Sequence, residues 1–171
     1  SVGHMNMELF KGIIDEMPLG ANPCWLHLFG EPLLNPHLFE QIRYAKSKKK
    51  NKVGISTNAT LLDTEKSEAL LSSGLDCLMI AIDGATKSVY ERIRKSNHYQ
   101  FESVTANVAE FLKLRKLRGS SKLKVILSII QMEETKSELK VFEQYWKSRG
   151  AEKVLFKPRR AARIPRSDSR R

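Results

Sequence analysis

The sequence predicts an α/β fold in which helices cover a parallel sheet. Short apolar segments alternate strictly with segments whose apolar residues recur at helical spacing. The short segments are apolar throughout, which is typical of strands in a parallel sheet. With 171 residues and a hydrophobic content of 41%, the chain is long enough to bury one ordinary core.

Capping residues and apolar periodicity predict the first three helices. The first spans residues 7–17, with Asn6 as its N-cap and a proline after its end. Asn35, followed by Pro36, predicts the start of the second helix, because proline is favoured at the first helical position. Asp63 is placed to cap the third helix, which a glycine ends at position 74.

Similar signals predict the second half of the chain. Helices are expected over residues 86–94 and 101–117. The segment from Thr135 to Glu138 has the pattern of a capping box and opens a further helix that Gly150 ends. The strands predicted between these helices are residues 25–29, 53–56, 77–82, 124–130 and 153–156.

Polar residues follow the predicted strands at regular intervals. Glu31, Asn58, Asp83, Gln131 and Lys157 are separated by 27, 25, 48 and 26 residues, and the long interval contains two helices. Right-handed crossovers bring the carboxyl ends of parallel strands to one edge of the sheet. The sequence therefore predicts a common rim, where sites form in open sheets and barrels alike.

The rim residues suit a ligand that carries both an ammonium group and a ribose. Gly30 lets the backbone approach closely, and Glu31 with nearby carbonyls can receive the ammonium. Asp83 can accept hydrogen bonds from ribose hydroxyls, while Thr57 and Asn58 can both donate and accept. The alternative is that these residues only cap the turns and helices that follow the strands.

Three segments in this order resemble the radical S-adenosylmethionine (radical SAM) superfamily: LHLFGEPLLNPHLFEQI at 27–43, VGISTNATLL at 53–62 and CLMIAIDGATKSVYERIR at 77–94. The resemblance covers residues 3 to about 158, and is strongest to the subgroup that often carries a C-terminal SPASM-type auxiliary-cluster domain. It implies that residues 1–158 are the core domain and that residues 159–171 are a separate basic, disordered tail. It also refines the fold to a partial (βα)6-type parallel barrel whose first strand is missing.

The resemblance implies roles for the rim residues as cofactor contacts. Gly30, Glu31 and Pro32 match the motif that holds the amino group of S-adenosylmethionine. Ser56, Thr57 and Asn58 match the segment that lines the pocket after the next strand, and Asp83 matches the residue associated with the ribose. Gln131 lies where the segment that contacts adenosine begins. No catalytic residue is predicted.

The resemblance further implies an enzyme. In this family a [4Fe-4S] cluster reductively cleaves S-adenosylmethionine, and the resulting 5′-deoxyadenosyl radical abstracts hydrogen from a substrate. The expected partners are a small-molecule or peptide substrate and a reductant such as flavodoxin or ferredoxin. The family's CxxxCxxC cluster loop is not in this sequence, which contains only Cys24 and Cys77. No metal ligands are therefore predicted here, and this chain alone is expected to be inactive.

The charge of the chain supports an alternative function. The net charge is +11, of which residues 157–171 carry seven basic and one acidic residue. This tail, with the basic run at 46–52, could form a module that binds RNA or another polyanion. Aromatic residues are not interleaved in these stretches, which argues against a reader of single strands, so a nucleic-acid partner is not expected. A cytoplasmic location and no membrane partner are expected, because no apolar run approaches the roughly 20 residues of a membrane span.

Overall fold

The five strands of the structure form one parallel sheet, confirming the predicted fold class. The computed structural model describes residues 3–18, 23–27, 30–48, 52–95, 101–119 and 122–159. The strands are β1 (Cys24–Trp25), β2 (Val53–Thr57), β3 (Cys77–Ala81), β4 (Lys124–Gln131) and β5 (Lys153–Pro158). The helices are α1 (Met7–Glu16), α2 (Leu38–Ser47), α3 (Thr64–Ser72), α4 (Lys87–Arg94), α5 (Phe101–Leu117) and α6 (Leu139–Ser148).

The strands lie in the order β1-β2-β3-β4-β5, so every strand pairs with the next one along the chain. In a parallel sheet of this order, right-handed crossovers place all the connecting helices on one face. The burial pattern agrees, because Ile55, Leu78, Leu127 and Val154 are buried on the face that the helices cover. A singly wound sheet of this kind is the arrangement of a βα barrel.

The other face of the sheet, here called the open face, has no helix packed on it among the described residues. The register places its side chains in rows that run across β2 to β5. They are smaller or less buried than those of the helical face. The open face comprises Trp25, Gly54, Ser56, Cys77, Met79, Ala81, Lys124, Ile126, Ser128, Ile130, Lys153, Leu155 and Lys157.

Several predicted capping residues are confirmed. The side chain of Asn6 accepts a hydrogen bond from the amide of Leu9 at 2.8 Å and caps α1. Asp63 caps α3 in the same way, through the amide of Lys66 at 2.8 Å. Gly150, which follows α6, has a φ of +98° that favours glycine.

The predicted start of α2 at Asn35 is wrong. Residues 32–34 instead form a single 3₁₀ turn, and α2 begins at Leu38. The side chain of Asn35 accepts from the amide of His37 at 3.0 Å and donates to Gln41 at 2.9 Å. These bonds stabilise a turn between the two helical segments, which is the usual competition that asparagine offers to helix formation.

The capping box predicted at Thr135 to Glu138 is also wrong. The hydroxyl of Thr135 donates to the carbonyl of Ile130 at 2.7 Å and caps no helix. Glu138 directs its carboxylate away from its own helix, to the loop between β3 and α4. The hydrogen bond from the Ala85 amide, 53 residues away in sequence, takes the place of the predicted capping contact.

The first strand is shorter than the predicted residues 25–29. Leu26 still donates from its amide to the carbonyl of Gly54 at 2.9 Å. The next rung of the ladder would use the amide of Ser56, but this amide donates to Nδ1 of His27 at 3.1 Å. The imidazole thus replaces a backbone acceptor and ends the pairing, while residues 28 and 29 lie outside the described residues.

Candidate functional site

The loop after β1 carries Glu31, whose carboxylate joins two segments at the carboxyl edge of the sheet. Oε1 of Glu31 accepts from the Thr57 hydroxyl at 2.7 Å and from the amide of Leu33 at 3.1 Å. Oε2 accepts from the amide of Asn58 at 2.8 Å. The predicted neighbours Glu31, Thr57 and Asn58 are therefore in direct contact, 26 and 27 residues apart in sequence.

The backbone around Glu31 explains the residues on either side of it. Gly30 has a φ of +86°, a conformation that side chains rarely adopt. Pro32 is buried and begins the 3₁₀ turn, with Glu31 as its capping residue. The Gly-Glu-Pro sequence thus turns the chain sharply at the end of β1 and directs the carboxylate toward β2.

The end of β2 is held rigidly. Thr57 is 2% exposed, and its Oγ1 also accepts from the amide of Ala59 at 3.0 Å. The side-chain oxygen of Asn58 accepts from the amide of Thr60 at 2.9 Å and from its hydroxyl at 2.6 Å. Thr57 and Asn58 therefore do cap the turn after β2, as the alternative interpretation predicted. The Asn58 amide nitrogen forms no hydrogen bond with any described residue, so it can still donate to a ligand.

Asp83 lies just beyond β3, the strand next to β2. It is 8% exposed, and its Oδ2 lies 2.9 Å from Nη2 of Arg94 in the last turn of α4. The guanidinium also lies 5.9 Å from the ring of Tyr90. Sequence analysis missed Arg94. The signal was present, because a short helix after Asp83 can return a cation at its carboxyl end to that carboxylate.

The Asp83–Arg94 pair is incompletely satisfied within the described residues. The Nε atom of Arg94 is buried and has no hydrogen-bond partner among them. A buried guanidinium nitrogen without a partner is costly, and a polar ligand atom can supply the missing acceptor. Arg94 is therefore a candidate contact of this site alongside Asp83.

Gly84 gives α4 the space to pack against the strand end. A Cβ at this position would lie 2.6 Å from the backbone nitrogen of Tyr90. Tyr90 itself is fully buried. The Asp-Gly sequence is thus required by packing, since only glycine lets the first turns of α4 approach the loop that carries Asp83.

Two predicted site residues lie apart from these contacts. Ser56 is on the open face and is partly exposed, with its amide bonded to His27. Gln131 is exposed and forms the last pair of the β4–β5 register, opposite Pro158. No hydrogen bond joins Gln131 to Glu31, Asn58 or Asp83 in the described part of the chain.

His27 and Lys157 add two basic groups on the same side of the sheet. Burial lowers the pKa of His27, the nearby ammonium of Lys157 lowers it further, and Glu31 opposes this by raising it. Burial likewise lowers the pKa of Lys157, while Asp83 raises it. These four residues all lie at or just beyond the carboxyl ends of the strands, and these charges act on His27 and Lys157 from there.

A separate cavity of about 140 Å³ lies on the helical side of the sheet. Its walls include Gly84, Ala85, Phe101, Tyr145 and Trp146, from α5, α6 and the loop after Asp83. The lining residues do not include Glu31, Thr57, Asn58, Asp83 or Arg94. This cavity is therefore distinct from the site at the carboxyl edge.

Comparison with known proteins identifies the class. Residues 4–140 match the family model described as the radical SAM superfamily, so the chain belongs to this superfamily. The family uses S-adenosylmethionine and a [4Fe-4S] cluster, and its members related to this chain are enzymes.

One curated relative is the AdoMet-dependent heme synthase of Methanosarcina barkeri. It is 34% identical over 92 residues, which are 54% of this chain and 26% of the relative. Two further heme synthases are covered to 24% and 25% of their length. The chain therefore spans about a quarter of the length of these curated relatives.

Solved structures confirm the fold. A domain of pyruvate-formate lyase-activating enzyme from Bacteroides vulgatus superposes with a TM-score of 0.61 at 14% identity, covering 80% of both chains. SuiB of Streptococcus suis, bound to S-adenosylmethionine, superposes with a TM-score of 0.60 at 13% identity, covering 78% of this chain and 29% of SuiB. None of the helices in the described ranges has the length and apolar character needed to cross a membrane.

Proposed function

We propose that this chain is the part of a radical SAM enzyme core that binds the nucleoside and amino-acid groups of S-adenosylmethionine. The observation that carries the proposal is the contact between Glu31 and the end of β2, within the region that matches the family. Residues 1–158 would form this core. Residues 159–171 would be a separate tail, of which only Arg159 lies within the described residues.

Glu31 would receive the amino group of S-adenosylmethionine. An ionised carboxylate has about four acceptor positions, and the described residues use three of them here. One position thus remains for an ammonium donor. Gly30 and Pro32 would contribute through the turn, since the glycine leaves the approach to the backbone open.

The neighbouring strand ends would hold the nucleoside. Asp83 would accept a hydrogen bond from the ribose while it stays paired with Arg94. Ser56, Thr57 and Asn58 would line the pocket between these carboxylates, with the Asn58 amide nitrogen as a donor. Gln131 would lie beside the adenosine, at the end of β4.

The cluster of the family does not fit the cysteines of this chain. When bound, the cluster supplies the electron that cleaves S-adenosylmethionine to a 5′-deoxyadenosyl radical. It needs three closely spaced thiolates, whereas Cys24 and Cys77 begin two strands that flank β2. We therefore assign no step through the cluster to these residues, and expect the chain as given to bind cofactor without turnover.

Other features of the whole enzyme stay predictions. They are a small-molecule or peptide substrate, a reductant such as flavodoxin or ferredoxin, a SPASM-type domain and a cytoplasmic location. The alternative of polyanion binding depends on the basic tail, and residues 160–171 lie outside the described part of the chain. No observation on the described residues favours that alternative.

Calorimetric titration with S-adenosylhomocysteine tests the proposal on the chain as it is. Loss of a charged hydrogen-bond partner costs roughly 1.5–3 kcal/mol, which corresponds to a decrease in affinity of at least about tenfold. We expect this decrease for Glu31→Ala and for Asp83→Ala. Glu65→Ala, at an exposed position in the first turn of α3, is the control and should bind as the original chain does.

A second variant separates binding from folding. Glu31→Gln keeps a side-chain oxygen for the Thr57 hydroxyl or the Asn58 amide but removes the negative charge. It should therefore retain most of the stability while losing affinity for S-adenosylhomocysteine. If the original chain does not bind this ligand, or if neither carboxylate affects binding, the proposed site is wrong.

A further inference from the structure

The open face presents an apolar surface in the middle of the sheet. Met79, Ile126, Ile130 and Leu155 lie on it and are all partly exposed. Ala81 and Ser128 are small and share a row with Leu155, between the row of Met79 and Ile126 and the row of Ile130. Contiguous apolar surface on a protein of this size usually marks a binding site.

Lys157 lies at the carboxyl end of this surface. It pairs with Ile130 across β4 and β5, and the alternation of β5 places its side chain on the open face, opposite to Val154 and Phe156. Burial is sufficient to lower the pKa of its ammonium group, and Asp83 and His27 lie within electrostatic range. The position was in the predicted rim, but the proposed contacts to S-adenosylmethionine do not use it.

No ion pair to Lys157 is formed by the described residues. Asp83 is the acidic group that acts on it, but this carboxylate is already paired with Arg94 at 2.9 Å. A partly buried ammonium has lost part of its hydration, and no described residue replaces it here with an ion pair. A ligand anion can restore the balance, and a carboxylate does so with a short charged hydrogen bond.

We propose that Lys157 binds a carboxylate of the substrate, whose apolar part lies over the open face. This inference rests on the proposed function for the view that the open face is the interior of a barrel. S-adenosylmethionine also carries a carboxylate. Its amino group, however, is assigned to Glu31, and titration with S-adenosylhomocysteine separates the two possible carboxylates. The expected substrate is thus an apolar acid, bound at its acidic end by Lys157.

Fluorescence titration with two matched probes tests this proposal. Pyrenebutyrate carries a large apolar ring system and a carboxylate, while pyrenebutanol has the same ring system and no charge. Lys157→Met keeps the length of the side chain and removes the ammonium. We expect this variant to lower the affinity for pyrenebutyrate about tenfold, the loss typical of a charged hydrogen bond. The affinity for pyrenebutanol should change by less than about twofold.

Lys153→Met is the control. Lys153 lies on the same strand and the same face as Lys157, but it is exposed at the amino-terminal end of β5. Its replacement should therefore leave the affinity for both probes unchanged. Lys157→Arg should retain most of the affinity for pyrenebutyrate. Equal weakening of both probes by Lys157→Met, no weakening, or an equal effect of Lys153→Met would overturn the proposal. Thermal melts followed by circular dichroism establish that each variant is folded.

Titration with S-adenosylhomocysteine distinguishes the two sources of the carboxylate. The proposal predicts that Lys157→Met binds this ligand as the original chain does. If the variant instead loses affinity for S-adenosylhomocysteine and keeps it for pyrenebutyrate, Lys157 binds the cofactor and the substrate assignment is wrong. Failure of the original chain to bind S-adenosylhomocysteine counts against the proposed function, whereas the probe pair reports on Lys157 alone.

Discussion

The carboxylate of Glu138 accepts a hydrogen bond from the amide of Ala85 at 2.8 Å, across 53 residues of sequence. Its other oxygen accepts from the hydroxyl of Thr86. Glu138 precedes α6, while the loop it holds begins at Asp83 and leads into α4. The loop that begins at Asp83, the residue proposed to contact the ribose, is therefore held by a carboxylate from the segment between β4 and β5.

We predict that Glu138→Ala destabilises the chain and weakens nucleoside binding. Two hydrogen bonds to a charged acceptor are lost, and the half-buried amide of Ala85 is left without a partner, at a cost of about 1–3 kcal/mol in the free energy of unfolding. The freed loop should lower the affinity for S-adenosylhomocysteine several-fold. Urea denaturation and calorimetry measure the two effects.

Glu138→Gln and Glu134→Ala are the matched variants for this prediction. The amide oxygen of glutamine can still accept from Ala85, so this variant should recover part of the stability and affinity. Glu134 is exposed in the turn before α6, and its replacement should change neither. Loss of stability without loss of affinity would mean that Glu138 supports the fold but does not position Asp83.

A second prediction concerns Gly84. A methyl group there would lie 2.6 Å from the backbone nitrogen of Tyr90 and 2.9 Å from its Cα, atoms that cannot move without shifting α4. We expect Gly84→Ala to lower the free energy of unfolding by about 1–3 kcal/mol, the usual cost of overpacking. The substitution should also lower the affinity for S-adenosylhomocysteine, because the displaced helix moves Arg94 away from Asp83.

Gly12→Ala is the control for this change. Gly12 lies in the middle of α1, and a Cβ there meets nothing within 4 Å. Alanine in an exposed helix is favoured over glycine by about 0.5–1 kcal/mol, so this variant should be more stable than the original chain. Equal stability of the two alanine variants would show that α4 does not pack on Gly84 as described.

The fold could be predicted well from local patterns because its elements are locally determined. The strands β2 to β5 are apolar segments between strong helical periods, and Asn6 and Asp63 cap helices through amides three residues away. The alternation alone indicated a parallel sheet with one functional edge. The chain belongs to the radical SAM superfamily, as the three segments at 27–43, 53–62 and 77–94 predicted.

The start of α2 was misplaced because of local bonds made by Asn35, but the other errors occurred where a side chain bonds to a distant part of the chain. Glu138 fits a local capping pattern, but its partner is 53 residues away. His27 ends β1 by accepting from Ser56, a contact that depends on the register of two strands. The ion pair of Asp83 with Arg94 depends on how α4 folds back over Gly84. The contacts of Glu138 and His27 leave no short-range pattern in the sequence.

A third prediction is that stability falls as the pH drops through about 6.5 because of His27. Its pKa in the folded chain is lowered from 6.5, by burial first and by Lys157 second. Between the lowered value and 6.5 the unfolded state binds more protons than the folded state, so the free energy of unfolding decreases as the pH falls. Protonation of Nδ1 would also remove the acceptor of the Ser56 amide.

His27→Asn isolates this contribution. The side-chain oxygen of asparagine can take the place of Nδ1 as acceptor, but it does not titrate in this range. The slope of the free energy of unfolding between pH 5 and 7, measured by urea denaturation, should be smaller in this variant than in the original chain. His37→Asn, at an exposed position before α2, controls for the loss of an imidazole. Identical slopes in all three proteins would refute the assignment to His27.

A fourth prediction concerns the two cysteines and the cluster of the family. Cys24 and Cys77 begin β1 and β3, which are separated by β2, so their Cα atoms are about 10 Å apart by strand spacing alone. Both lie at the amino-terminal edge of the sheet, away from Glu31 and Asp83. Burial raises the pKa of both thiols, which disfavours the thiolate form that binds iron.

We therefore expect that anaerobic reconstitution with iron and sulfide leaves no stable cluster on this chain. After desalting, the iron content should be far below four atoms per chain, because a [4Fe-4S] cluster holds four and two separated thiols cannot retain it. A double variant with serine at positions 24 and 77 should give the same iron content and visible spectrum. Cluster absorbance that persists in the original chain and disappears in the double variant would contradict this prediction. S-adenosylhomocysteine binding, measured on the same samples, should be unaffected by the serine substitutions because neither thiol lies at the carboxyl edge.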